Sequence, residues 1–233
     1  MGVQQIIRTF VMLVACALPL SAHADQIVIE VLDGSDTPDS LGGFDLTQFD
    51  EPTIPNPGCG PYSDGVTSTA SPIEGTVDFE AQDGSPLCMS VQDPDWWQWD
   101  HGNVFTTDVP WVELVMPTNT RAFTLWVGAN MTGRGWIEAL DEFGHTTRTY
   151  FGGNTGIALG DKQTPGFGVY TTGSCSSISR IVVEPFEWGT GNFAINQDPC
   201  TTVPEPGSLW LFGIGLLGFW LAHRFRRDTV TIR

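Results

Sequence analysis

Positive charge is scarce in this chain of 233 residues. It has 10 Lys and Arg against 27 Asp and Glu, for a formal charge of −17. Between Asp25 and Val203 the imbalance is larger, with 5 basic and 25 acidic residues, a net of −20. Nucleic-acid binding requires clustered cations that meet the phosphates, so this balance excludes nucleic acid as a partner.

Catalytic motifs are also missing. The middle of the chain holds two histidines, His101 and His145, and contains no G-x-S-x-G, H-E-x-x-H or phosphate-binding loop. Its many carboxylates form accidental pairs easily, so we interpret them as a solvated acidic surface. The sequence therefore predicts a protein that is not an enzyme. The alternative is a secreted or anchored carbohydrate-active enzyme on a β-sandwich scaffold.

Helix-forming residues are few, while 27 Gly and 16 Pro interrupt the chain. Short β-branched and aromatic segments between turn residues predict an all-β fold, an antiparallel β-sandwich. A hairpin is expected at residues 136–151, with Gly144 at positive φ. We divide this domain, residues 25–203, into a loop-rich part (25–94) and a strand-rich part (95–203). The predicted strands are 25–31, 75–80, 111–116, 122–127, 135–140, 146–151, 167–170, 178–183 and 192–195.

The first 24 residues are predicted to be a signal peptide. Arg8 precedes an apolar stretch from Phe10 to Leu20 that is too short to span a bilayer, and Ala22-His23-Ala24 suits signal peptidase. We expect signal peptidase and the export machinery to produce a mature start at Asp25. In the competing reading Cys16 ends a lipoprotein box and is lipidated.

Four cysteines remain after this cleavage, an even number in a protein exported to an oxidising compartment. They allow three pairings. We favour Cys59 with Cys88 and Cys175 with Cys200, because each pair closes a local loop. No C-x-x-C spacing is present, which makes a zinc site the weaker interpretation.

The C-terminal segment has three ordered parts: an extended Pro-Glu-Pro stretch, an apolar run predicted as a membrane helix (208–222), and a basic cluster. Two prolines keep the first part out of helix and sheet, so it stays open to an enzyme. Cations after the helix place residues 228–233 in the cytoplasm and the acidic domain outside. A plain membrane anchor is the alternative. The residues of the first and third parts are Pro204, Glu205, Pro206, Arg224, Arg226 and Arg227.

This tail (204–227) resembles the PEP-CTERM sorting signal of Gram-negative bacteria. The resemblance implies that exosortase, a membrane transpeptidase, cleaves near Glu205 and releases or relocates the protein in species that make exopolysaccharide. Residues 121–196 loosely resemble the jelly-roll module common in proteins with this tail. That second resemblance implies a carbohydrate-binding-like sandwich without naming a ligand.

Two further segments are candidate binding sites. Trp96, Trp97 and Trp99 lie within four positions and, if exposed, would stack on sugar rings; the alternative is that they fill the core. Asp33, Asp36 and Asp39 lie three apart on a glycine-bearing loop and could bind a structural calcium ion. The sequence predicts no other cofactor.

These observations predict an exported surface or extracellular-matrix protein associated with exopolysaccharide. Its precursor is expected in the inner membrane with the domain in the periplasm, and the processed form at the cell surface or outside the cell. The glycan, the final attachment and the oligomeric state are left open by the sequence.

Overall fold

The computed structural model describes residues 26–32, 36–50, 65–91, 103–129, 135–151, 165–173, 175–185, 188–199, 213–215 and 217–218. The chain divides into two compact units, Met1–Pro199 and Cys200–Arg233. In the first unit the described residues form fifteen strands: β1 (Ile27–Leu32), β2 (Ser40–Leu41), β3 (Phe44–Asp45), β4 (Thr47–Gln48), β5 (Ser68–Ala70), β6 (Thr76–Ala81), β7 (Cys88–Val91), β8 (Asn103–Thr107), β9 (Val112–Val115), β10 (Ala122–Ala129), β11 (Gly135–Asp141), β12 (Thr146–Phe151), β13 (Gly166–Thr171), β14 (Ile178–Pro185) and β15 (Trp188–Asn196).

Two antiparallel sheets make up most of this unit. The seven-stranded sheet has the order β1-β13-β10-β15-β8-β7, with β4 also paired to β15. The six-stranded sheet has the order β12-β11-β14-β9-β6-β5, and β2 pairs with β3 in a separate small ribbon. The all-β, antiparallel fold predicted from the sequence is therefore confirmed.

One apolar core receives side chains from both sheets. In β6 the burial alternates strictly, with Val77 and Phe79 buried and their neighbours exposed, as a half-buried strand requires. Phe105 of β8 and Phe193 of β15 join the same core from the other sheet, and the ring centroid of Phe105 lies 4.8 Å from that of Phe79. Aromatic pairs at this spacing add to the energy of burial, so the two sheets are held together as a sandwich.

The predicted hairpin is present. Strands β11 and β12 pair from Gly135↔Phe151 to Leu140↔Thr146, and Gly144 has φ +85° in the turn between them. That φ lies in the left-handed region that glycine adopts at little cost, which is why the turn closes at this position.

In the loop-rich part of the domain the structure has more strands than the sequence predicted. Short strands β2 to β5 and β7 lie there, and β8 was not predicted either. Strand β8 exists because it pairs with β15 and β7, for example Phe105 with Thr190 and with Met89. Short strands of this kind depend on partners elsewhere in the chain, so local alternation is a weak guide to them.

Candidate functional site

The last strand of the domain ends in a buried polar clasp formed by Gln197. Its Nε2 donates hydrogen bonds to the backbone oxygens of Glu74 (2.9 Å) and Thr118 (3.1 Å). Its Oε1 accepts from the hydroxyl of Ser71 (2.5 Å) and from the backbone N–H of Glu74 (3.2 Å). Because Gln197 follows β15 of one sheet and holds the turn between β5 and β6 of the other, the clasp joins the two sheets where the chain leaves the sandwich.

Both ends of the domain lie at this same end of the sandwich. The backbone N–H of Thr172 donates to the oxygen of Gln26, that of Thr171 donates to Arg121, and that of Arg121 donates to Asn196. The start of β1 and the end of β15 are therefore three strand spacings apart, about 14 Å. We call this end the termini face; its described residues are 26, 71–75, 117–121, 142–145, 172–173, 175–177 and 196–199.

The turn between β11 and β12 also belongs to the termini face, and a buried acid organises it. The side chain of Asp141 is 1% exposed; it accepts hydrogen bonds from the backbone N–H groups of Phe143 (2.9 Å) and His145 (2.8 Å) and lies 2.8 Å from Nδ1 of His145. Burial alone would raise the pKa of Asp141, but these hydrogen bonds outweigh it and hold the pKa below its usual value. The arrangement builds a turn and leaves the carboxylate closed to a substrate.

An aromatic and charged surface lies on the outer side of β11 and β12. Tyr150 is 54% exposed and pairs directly with Trp136. The guanidinium of Arg148 lies 4.0 Å from the centroid of the Trp136 ring, and its Nε donates to Glu138 over 2.8 Å. The hydrogen bond to Glu138 raises the pKa of Arg148, and one with Tyr150 adds to the effect. Sequence reasoning missed this surface, although the alternation Trp136, Glu138 against Arg148, Tyr150 was visible in the hairpin.

The second unit contains a helical segment whose apolar side chains are exposed to solvent. Residues 213–215 and 217–218 are helical, and Ile214 and Leu217 are 52% and 64% exposed. Residues three apart share one side of a helix, so this side presents apolar surface. In the part of the chain that the structure describes, no helix is both long enough and apolar enough to cross a membrane.

The comparison with protein families decides what this tail is. A family model for the PEP-CTERM protein-sorting motif matches residues 202–227. The chain carries a PEP-CTERM sorting motif. A PEP-CTERM motif marks an exported protein of the cell envelope and has exosortase as its processing partner. No curated protein and no solved structure matches the chain, so the jelly-roll resemblance of residues 121–196 stays a prediction.

Most residues that the sequence singled out fall outside the described residues, the PEP-CTERM residues among them, and the roles predicted for them stay predictions. The predicted signal peptide and ten of the fifteen residues of the predicted membrane helix also fall outside. The site residues concerned are Asp33, Cys59, Trp96, Trp97, Trp99, Cys200, Pro204, Glu205, Pro206, Arg224, Arg226 and Arg227.

Of the four cysteines, Cys88 and Cys175 are within the described residues, and both are disulfide-bonded. Cys88 opens β7 and Cys175 lies between β13 and β14. The pairing that we favour involves Cys59 and Cys200 and stays a prediction.

Two of the three candidate calcium ligands, Asp36 and Asp39, are described, and both are exposed. Among the described residues there is no group of three or more His, Cys, Asp or Glu side chains that could hold a metal ion. Asp33 is outside those residues, so calcium binding at this loop stays a prediction.

Proposed function

We propose that this protein is a non-enzymatic surface or matrix protein of a Gram-negative bacterium, held at the inner membrane as a precursor and cleaved by exosortase near Glu205. The observation that carries the proposal is the PEP-CTERM motif at residues 202–227. The motif begins three residues after Pro199, where the described sandwich ends.

The position of the motif suits processing. Asn196 is the last residue of β15, which lies between β10 and β8 in the larger sheet, and Gln197 is clasped to the other sheet. Cleavage near Glu205 therefore falls beyond the elements that hold the sandwich together and would release it folded.

A membrane helix at residues 208–222 is part of this proposal. The exposed Ile214 and Leu217 support it, because apolar side chains on a solvated helix gain free energy when they enter hydrocarbon. Arg224, Arg226 and Arg227 would remain at the cytoplasmic headgroups and give the precursor its orientation.

The sorting proposal is tested by replacing Glu205. In a host with a matching exosortase, the wild type should lose the residues after about Pro206, whereas Glu205→Ala should accumulate as a membrane-held precursor of full mass. Asp228→Asn is the matched control, because it neutralises an acid beyond the arginines and should be processed normally. Intact-mass analysis that finds Arg233 on the exported wild type would refute processing and leave a plain anchor.

The structural role of Asp141 and His145, which organise the turn between β11 and β12, supports the non-enzymatic part of the proposal. Acid–base catalysis needs a carboxylate that can reach a substrate, and Asp141 is closed off within its own turn. The half-buried carboxylates of Glu138 and Glu113 are paired with Arg148 and Arg180 across neighbouring strands. Screening secreted protein against common neutral glycans for released sugar should show no turnover, and any turnover would favour the alternative enzyme.

Association with polysaccharide is the most specific part of the proposal. A net charge of −20 between Asp25 and Val203 repels acidic polymers, so we expect a neutral glycan or one bridged by a divalent cation. The exposed ring of Tyr150 beside Trp136 and Arg148 offers a stacking surface in addition to the predicted Trp97 and Trp99.

Affinity electrophoresis in neutral glycans tests this association and locates it. Trp97→Ala, Trp99→Ala and Tyr150→Ala should each weaken retention several-fold where the residue stacks on sugar, since one ring contributes on the order of 1 kcal/mol. Phe143→Ala removes an exposed ring at the termini face and is the matched control. A wild type whose mobility no glycan changes would refute the association. If Trp97 or Trp99 is core instead, its replacement should cost about 3–5 kcal/mol of stability.

A further inference from the structure

The termini face combines two features that follow separately from the strand register and from side-chain exposure. The first is that Gln26 and Asn196 leave the sandwich at one end, about 14 Å apart across three strand spacings. The chain before Gln26 is the predicted signal peptide, and the chain after Pro199 leads to the predicted membrane helix. The predicted signal peptide, before its removal, and the predicted membrane helix would therefore both depart from the same end of the domain.

The second feature is the position of exposed apolar side chains. In the described part of the sandwich, three large apolar or aromatic side chains are exposed: Ile73 (48%), Phe143 (67%) and Tyr150 (54%). Ile73 lies in the turn between β5 and β6 that Gln197 clasps, and Phe143 lies at the tip of the turn between β11 and β12. Two of the three thus lie on the termini face, at the tips of different turns from the same sheet.

Chain length keeps this face near the bilayer. Eight residues, 200–207, separate Pro199 from the start of the predicted helix at Ser208, and even fully extended they reach at most about 30 Å. A tether of this length holds the domain at high effective concentration at the membrane, so weak contacts suffice to orient it.

We propose that, in the membrane-held precursor, the termini face rests on the phospholipid surface, with Ile73 and Phe143 inserted at the headgroup boundary. This inference rests on the proposed membrane helix. In such interfacial contacts the attraction comes from apolar side chains that become buried in the headgroup region of the bilayer. Glu74, Glu142 and Asp198 are exposed on the same face and stay hydrated, which limits the depth of insertion.

The acidic residues give the contact an unusual salt dependence. Anionic headgroups repel Glu74 and Glu142, and salt screens that repulsion within a Debye length of about 10 Å at 0.1 M. Raising the salt concentration should therefore strengthen the contact of the face with anionic lipid. A surface that bound through basic residues would respond in the opposite way.

The test uses the precursor that signal peptidase leaves, residues 25–233, so that Cys16 adds no free thiol. It is placed in vesicles of phosphatidylethanolamine and phosphatidylglycerol with a headgroup-level nitroxide lipid. An environment-sensitive fluorophore is attached at Ile73→Cys or Phe143→Cys, and at Tyr150→Cys as an exposed control on the outer face of β12. A fourth label at Leu217→Cys reports whether the tail helix is in the bilayer. Thermal melts and thiol counts confirm that each labelled protein keeps its fold and its disulfides.

We expect a blue-shifted, quenched signal at positions 73, 143 and 217, little change at 150, and stronger quenching at 73 and 143 as salt rises. A signal at 217 without one at 73 and 143 overturns this inference but leaves the anchor intact. No signal at 217 overturns the anchor itself and with it the basis of the inference. Shielding of 73 and 143 that appears only when exosortase is added also overturns it and identifies the enzyme as the occupant of the face.

Discussion

The buried carboxylate of Asp141 lies 2.8 Å from Nδ1 of His145, and these two residues begin and end the turn that joins β11 to β12. The side chain of His145 is 74% exposed while that of Asp141 is 1% exposed, so the acid is the member of the pair that depends on the fold. Its negative charge is stabilised inside the protein by donors that the unfolded chain does not hold in place.

This relationship predicts a pH dependence of stability. The folded pKa of Asp141 lies below its unfolded value, so its contribution is present above about pH 4 and is lost as the pH falls through the folded pKa. Asp141→Asn should lower the free energy of unfolding by about 1–3 kcal/mol at pH 7. Urea denaturation of both proteins at pH 7 and pH 3 measures the difference, which should shrink at pH 3.

Glu142→Gln is the control for this prediction, since it neutralises an exposed carboxylate of the same turn and should change stability by less than about 0.5 kcal/mol. A penalty for Asp141→Asn that is equal at both pH values would show that the charge of Asp141 does not stabilise the fold.

The clasp of Gln197 predicts local as well as global destabilisation. Gln197→Ala leaves the backbone oxygens of Glu74 and Thr118 without this donor, and we expect a loss of about 1–3 kcal/mol. Hydrogen exchange should accelerate most in the turn between β5 and β6, because the side chain of Gln197 holds that turn. Gln48→Ala, at an exposed position on β4, is the matched control. Unchanged exchange at residues 71–75 would mean that the clasp is dispensable.

Close packing on the outer side of the seven-stranded sheet leaves no room for a side chain at Gly166. A Cβ on Gly166 would lie 2.7 Å from Cε2 of Trp126, which is buried. Gly166→Ala should therefore cost about 1–3 kcal/mol through overpacking.

The contact between position 166 and Trp126 can also be tested with a second substitution that removes the crowding. No hydrogen-bond acceptor among the described residues reaches Nε1 of Trp126, so Trp126→Phe breaks no hydrogen bond and makes room. We expect the double variant Gly166→Ala with Trp126→Phe to be more stable than the two single costs predict, with a coupling of about 0.5–3 kcal/mol measured by denaturant melts. Additive costs would place the strain of Gly166→Ala elsewhere.

The cysteines make a separate prediction. Non-reducing peptide mapping of the exported protein should find Cys59 linked to Cys88 and Cys175 linked to Cys200, with no free thiol among the four. Cys88→Ser or Cys175→Ser should each cost about 2–5 kcal/mol and lower the exported yield, because the unfolded chain regains the freedom that the bridge removes. A map that joins Cys88 to Cys175 would refute the pairing, and four free thiols would refute the bridges altogether.

Sequence patterns succeeded where the information is local. The hairpin of β11 and β12 was predicted within one residue, because alternation along each strand and Gly144 in the turn are properties of one short segment. The tail was recognised for a related reason. Its Pro-Glu-Pro stretch, apolar run and arginines follow one another in a fixed order along the sequence, so their spacing carries the signal without any fold.

Features that join distant parts of the chain were not predicted. Gln197 gave no sign of being buried, since its four hydrogen bonds reach residues 79 to 126 positions away. Likewise, the glycine at 166 has meaning only beside Trp126, which the pairing of β10 with β13 brings against it.

The sequence by itself determined the all-β class, the hairpin and the sorting signal, because periodicity, turn chemistry and motif order are read along the chain. The tertiary structure alone decided that both termini leave one end of the sandwich and that Ile73 and Phe143 stand beside them. The physical reason is that antiparallel pairing sets which strand ends meet. The backbone hydrogen bonds between strands do not depend on which side chains the paired residues carry, so the pairing cannot be read from the sequence.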